Sequence, residues 1–149
     1  MAFLIVSIVV FNLAVILMPK RITLGEIYAT SWFAAFFHFI ADMFLDVKYD
    51  FYGYFSHGVD YKSLLFTFGI YPAISTLFLN FFPFYQTLLT KLIYIFWWTI
   101  FSIIYEWTVL HTSTYYYNGW HLWYSALCYP VCLLILVGNF KILRWANNK

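Results

Sequence analysis

Five stretches of this chain are long, apolar and nearly free of charge, and nothing else in the chain is large enough to cover them. They run over about residues 2–18, 22–45, 64–82, 92–111 and 124–143 of 149. A helix that crosses a bilayer needs about 20 mainly apolar residues. Only 9% of the residues are charged and 26% are aromatic, against roughly 25% charged in an ordinary soluble domain. A compact domain of this size must show much of its surface to solvent, and here water is the wrong solvent for it. This excludes a disordered tail and a basic nucleic-acid-binding arm. Transmembrane barrels alternate over segments of about 10 residues. These runs are longer and apolar all round, so the helix is the form that satisfies their backbone. The expected fold is all-α: one transmembrane domain over residues 1–149, a polytopic bundle of five helices.

The first residues, Met1 to Leu4, offer no basic leader, and no small-x-small cleavage site precedes Pro19. The first span therefore reads as a retained anchor. Lys20, Arg21, Lys91, Lys141, Arg144 and Lys149 fall on one side of the five spans, and Lys48 and Lys62 on the other. The excess of basic residues marks the cytoplasmic side, which puts the N-terminus out and the C-terminus in. The two outer connections, Val47 to Ser63 and Thr112 to Trp123, are rich in Tyr, Phe and Trp and read as an aromatic belt at the headgroup level. His57 and His121 read as surface residues within them. Pro72 and Pro130 are expected to kink their helices. Cys128 and Cys132 read as small core residues. Asn12 and Asn80 are placed to bridge helices. Glu26 is expected to pair with Lys20 or Arg21.

The second span carries the expensive residues. At 100° per residue, Ser31, His38, Asp42 and Asp46 fall within about 80° of one another. An ionised side chain near mid-bilayer costs at least about 2.5–3.5 kcal/mol, so this stripe must face protein or water. Thr99, Ser102 and Glu106 form a matching face on the fourth span, and Thr67, Tyr71 and Ser75 one on the third. Asp42 and Glu106 should lie at similar depth, roughly 6–8 Å below the outer end. The reading is an outward-opening polar pocket between spans two, three and four, lined by Ser31, Tyr71, Ser75 and Ser102 as well as by the charged groups. His38, Asp42, Asp46 and Glu106 are its candidate metal ligands, since carboxylates with an imidazole at i, i+4 suit a divalent metal ion.

Three functions compete for such a pocket. A non-enzymatic membrane component would bind a cation or a proton there. A metal-dependent enzyme acting on lipid headgroups is the alternative, although no triad, Gly-rich phosphate loop or CxxC pair accompanies the histidine. A purely structural or accessory role is the third: a hydrogen-bonded network that glues the helices. No cofactor other than a divalent metal ion is suggested. The expected partners are membrane lipids, with a homo-oligomer or another membrane protein as the protein-level options, and no nucleic acid.

Several strings carry a resemblance. They include Pro19-Lys20-Arg21, Asp42 and Asp46 followed by Tyr52-Gly53-Tyr54, Ile70-Tyr71-Pro72, Asn80-Phe81-Phe82-Pro83, Tyr105-Glu106-Trp107, Tyr117-Asn118-Gly119-Trp120 and Trp123-Tyr124-Ser125-Ala126. Over nearly its whole length the chain resembles an uncharacterised family of small multi-pass membrane proteins of endospore-forming bacteria. The resemblance implies a bacterial plasma membrane, the spore membrane included, and a link to sporulation. It implies no activity, and no functional residue is carried over from it.

Overall fold

The computed structural model describes residues 1–55 and 60–147, so His57 lies outside the described residues. Helix α1 spans Ala2–Leu17 and α2 spans Leu24–Asp42, which continues as a π-helix over Met43–Lys48. Strand β1 is Tyr52–Tyr54. A 3-10 turn, Tyr61–Ser63, leads into α3, Leu64–Gly69, and then α4, Tyr71–Phe81. Helix α5 is Leu88–Leu110, β2 is Tyr115–Tyr117 and α6 is Leu122–Asn147. Four stretches, Leu24–Lys48, Tyr61–Phe81, Leu88–Leu110 and Leu122–Asn147, are long and apolar enough to cross a membrane, and α1 is a shorter apolar helix. Ile5, Val9, Phe36, Leu92, Phe96 and Leu127 are among many large apolar side chains exposed on the outside. The molecule is a helical bundle built to sit in lipid.

The ends of the helices follow local chemistry. The Met18-Pro19 pair stops α1, and the Lys20 ammonium donates to the carbonyls of Val15 (2.6 Å) and Ile16 (2.7 Å), which have no helical partner. Helix α2 starts with a capping box: Thr23 Oγ1 accepts from Glu26 N–H, and Glu26 Oε2 accepts from Thr23 N–H at 2.7 Å. Glu26 does not pair with Lys20 or Arg21. It reaches Arg144 Nε at 2.6 Å, near the far end of α6. Pro72 does not kink a continuous third span either. The span breaks between Gly69 and Tyr71, and Pro72 falls in the first turn of α4, where a missing N–H leaves no hydrogen bond unmade. Pro130 does sit inside α6.

Helix α1 lies over α4 and α5. Phe11 packs edge-on against Phe101 and Tyr105. The Asn12 amide donates to the Gly69 carbonyl at 2.9 Å. A Cβ on Gly69 would stand 2.9 Å from Ile8 Cδ1, so glycine permits this approach. At the basic end Asn80 ties two segments: its Oδ1 accepts from Arg21 N–H and its Nδ2 donates to the Pro19 carbonyl. One apolar cluster, including Phe78, Leu79, Ile95, Leu136 and Phe140, fills that half. A second, centred on Leu4, Tyr52, Tyr54, Phe66, Ile70 and Val109, fills the other.

The two aromatic loops are not merely a belt. They pair as a two-stranded antiparallel sheet with Tyr52 opposite Tyr117, Gly53 opposite Tyr116 and Tyr54 opposite Tyr115. Backbone groups near lipid need partners, and pairing supplies them. The Tyr116 phenol fills the space above Gly53 that any Cβ would need. Asp50 and Phe55, on either side of β1, both adopt positive φ. The carbonyl of Phe51 accepts from the N–H groups of Asn118 and Trp120.

Candidate functional site: a cavity under a tyrosine roof

The paired strands cover a cavity of about 250 Å³ enclosed by α2, α4, α5 and α6. Tyr52, Tyr54 and Tyr115 of the sheet, with Trp120, form its roof. His38, Tyr71, Ser75, Ser102, Glu106 and Tyr129 stand along its walls. Toward the basic end it narrows among apolar side chains, Phe33, Phe37, Leu133 and Leu136 among them. The expected pocket between spans two, three and four therefore has a fourth wall, α6, and the end expected to open is roofed by the sheet.

Each carboxylate has its own set of partners. His38 Nε2 lies 3.0 Å from Asp42 Oδ2, the i, i+4 pair read from the sequence. The Tyr52 hydroxyl donates to Asp42 Oδ1 at 2.8 Å. The Tyr54 hydroxyl is 3.5 Å from that same oxygen and from His38 Nε2. The Tyr71 ring lies against the imidazole with centroids 3.5 Å apart. Glu106 accepts from Tyr117 (2.6 Å) and Ser125 (2.8 Å) on Oε1, and from Tyr129 (2.6 Å) on Oε2. Trp120 Nε1 donates in turn to Ser125 Oγ at 2.8 Å. Strand β1 is thus tied to the acid of α2, and β2 to the acid of α5.

This arrangement departs from the single metal set expected of His38, Asp42, Asp46 and Glu106. Among the described residues no three His, Cys, Asp or Glu side chains come together to hold a metal ion. Asp46 is buried, but it lines a separate crevice with Asp42, Asp60, Ser63 and Thr67. Asp46 lies in the π-helix Met43–Lys48, one segment beyond α2, and shares its crevice with Asp42 and not with Glu106. Ser31 is not among the residues that line the cavity, whereas Tyr71, Ser75 and Ser102 are.

The sequence reading missed the donors, namely Tyr52, Tyr54, Tyr117, Ser125 and Tyr129. Two signals pointed to them. Tyr52-Gly53-Tyr54 and Tyr115-Tyr116-Tyr117 have strand-like composition, and Ser125 and Tyr129 share a helix face at i, i+4. In the sheet, burial raises the phenol pKa of Tyr52, and the Asp42 carboxylate raises it further. Burial likewise raises Tyr115 and Tyr117, with Glu106 adding to both. These hydroxyls remain donors throughout the physiological range.

The site can hold positive charge. It offers acceptor oxygens, ring faces and an enclosed apolar floor. No family model, no curated protein and no solved structure matches the chain.

Proposed function

We propose that the chain is a small, non-enzymatic integral membrane protein whose roofed cavity binds a cation or a proton. It crosses the membrane five times with the N-terminus out and the C-terminus in, so the cavity lies in the outer half. The membrane is the bacterial plasma membrane that the resemblance implies.

One observation carries this reading. Glu106 is buried and accepts three O–H donors, yet no Lys or Arg pairs with it among the described residues. Lys48 stacks on Phe44 and Tyr49, and Lys62 on Phe55. Three hydroxyl donors solvate the carboxylate without bringing a positive charge, and a charge out of water is expensive unless it is compensated. A bound cation or a proton supplies it.

The test is thermal unfolding of the purified protein in lipid nanodiscs, followed by tryptophan fluorescence, across Na⁺, K⁺, Mg²⁺ and Ca²⁺ concentrations and across pH. Cation- or proton-dependent stabilisation that disappears in Glu106→Gln is the expected result. The same dependence in both proteins would overturn the reading. The protein donors on both carboxylates, hydroxyls on Glu106 and hydroxyls with the His38 imidazole on Asp42, favour a second reading, a purely structural network. That reading predicts that Glu106→Gln loses the same stability under every condition. A metal-dependent enzyme has no such support, since the described residues offer no three-ligand set.

A further inference from the structure

The cavity is mostly not acidic. A site for a bare inorganic ion closes carboxylates and carbonyls around it. Here the upper part is lined by tyrosine rings and Trp120, the lower part by Phe33, Phe37, Ile74, Leu133 and Leu136, and a single carboxylate, that of Glu106, borders it. Aromatic rings attract a weakly hydrated cation through their faces, and quaternary ammonium groups are the ligands that aromatic cages hold. An apolar floor beneath such a cage accommodates the hydrocarbon part of the same molecule. Size agrees with this division. An apolar cavity of about 150 Å³ holds a benzene ring, and the cavity here is about 250 Å³, which leaves room for a small ammonium group on such a ring.

One wall residue of the cavity also reaches the side of the bundle. Helix α6 contributes no residue to the apolar cluster of the sheet half. Cys128 lines the cavity and is nevertheless exposed on the outside of the bundle, beside the exposed Leu127 and Val131. Phe37 and Ala41 of α2 and Leu45 of the π-helix also line the cavity and are only partly covered. With one end roofed by the sheet, Cys128 is where the cavity wall meets the apolar outside of the bundle.

The geometry points to a lipophilic organic ammonium ion as the ligand of this cavity, entering from the bilayer beside Cys128 and held by the ring faces next to Glu106. This rests on the cation-binding reading above and names the class of cation.

Cys128 provides the assay. The full chain in nanodiscs is treated with N-ethylmaleimide, and the rate at Cys128 is followed by peptide mass spectrometry. Two isosteric probes are compared, benzyltrimethylammonium and the neutral neopentylbenzene. At least tenfold slowing by the cation and none by the neutral compound is expected. In Glu106→Gln the slowing should vanish, each rate with probe being compared with that variant's own rate without probe. The comparison of the two probes on the wild-type chain stands by itself if that variant does not fold. Equal protection by both probes, protection by the neutral one alone, or protection by neither overturns the inference. Stabilisation by inorganic cations in the same nanodiscs separates the two readings. If it persists while benzyltrimethylammonium does nothing, the organic-cation inference falls and the cation site stands. If neither acts, both fall.

Discussion

Glu106 joins β2 to α6 through three hydroxyls, and the energetic consequence is asymmetric. Replacing it with leucine leaves the Tyr117, Ser125 and Tyr129 donors without an acceptor. A buried unsatisfied donor costs roughly 1–3 kcal/mol, and losses within one network do not simply add. Glu106→Leu should therefore destabilise by about 3 kcal/mol or more. Glu106→Gln keeps one acceptor oxygen and should lose about half as much, measured as unfolding in mixed micelles. A Leu variant as stable as wild type would mean that the network is not formed in lipid. That Glu106 matters was legible, because an acid in an apolar span has to be answered by something. Its partners were not, since tyrosines in a loop between spans read equally well as interfacial anchors. Glu26 failed differently. Its spacing of three from Thr23 is a capping-box signature, whereas its ion-pair partner Arg144 is distant in sequence and only the fold brings it close. Thr23→Ala should cost about 1 kcal/mol by the same unfolding measurement.

At the scale of elements, the four long spans were legible from apolar length, because length and hydropathy are what lipid selects. The π-helix and the sheet were not. A wheel drawn at a fixed 100° per residue carries no notice of a change in winding, and it does not show that Asp46 opens onto a crevice separate from the cavity beside Glu106. Two three-residue strands separated by two transmembrane helices leave no periodicity in the sequence. The sheet has a signature in alkali. Burial, with Asp42 acting on Tyr52 and Glu106 on Tyr115 and Tyr117, holds these phenols protonated in the fold above the ordinary tyrosine value of 10.0. The unfolded chain gives up those protons first. Stability is therefore fully present below pH 10 and lost as pH rises beyond it. Tyrosinate absorbance and unfolding should move together above that pH, and Tyr52→Phe should make the fall in stability with pH shallower. If the tyrosines of the folded protein titrate at their ordinary value, the roof is open to water. Another element contact depends on a glycine. Gly69→Ala places a Cβ against Ile8. It should push α1 from the α3–α4 break at a cost of about 1–3 kcal/mol.

For the whole molecule, the placement of α1 decides the topology. Its 16 residues span about 24 Å at 1.5 Å per residue, less than the roughly 30 Å of a hydrocarbon core. The helix nevertheless reaches from the sheet half of the bundle to its basic end. Phe3 packs on Tyr105 near the sheet end of α5, and Met18 is buried next to the turn whose Pro19 carbonyl meets Asn80 at the basic end. The Lys20 ammonium folds back onto the last carbonyls of α1, so the short helix needs no further turn to satisfy its end. The β1–β2 pairing puts residues 52–54 and 115–117 at one end of the bundle, and the Arg144–Glu26 pair closes the other. With α1 crossing, the chain has an odd number of passes and its termini face opposite sides. With α1 lying flat they face the same side. In a background where Cys128 and Cys132 are serine, single cysteines at Ala2 and Asn147 should be modified by a membrane-impermeant maleimide from opposite faces of intact cells, Ala2 from outside. Modification of both from one side would remove the fifth span. Modification of Asn147 alone from outside would keep five spans and invert the orientation drawn from the basic residues, placing the roofed cavity in the cytoplasmic half.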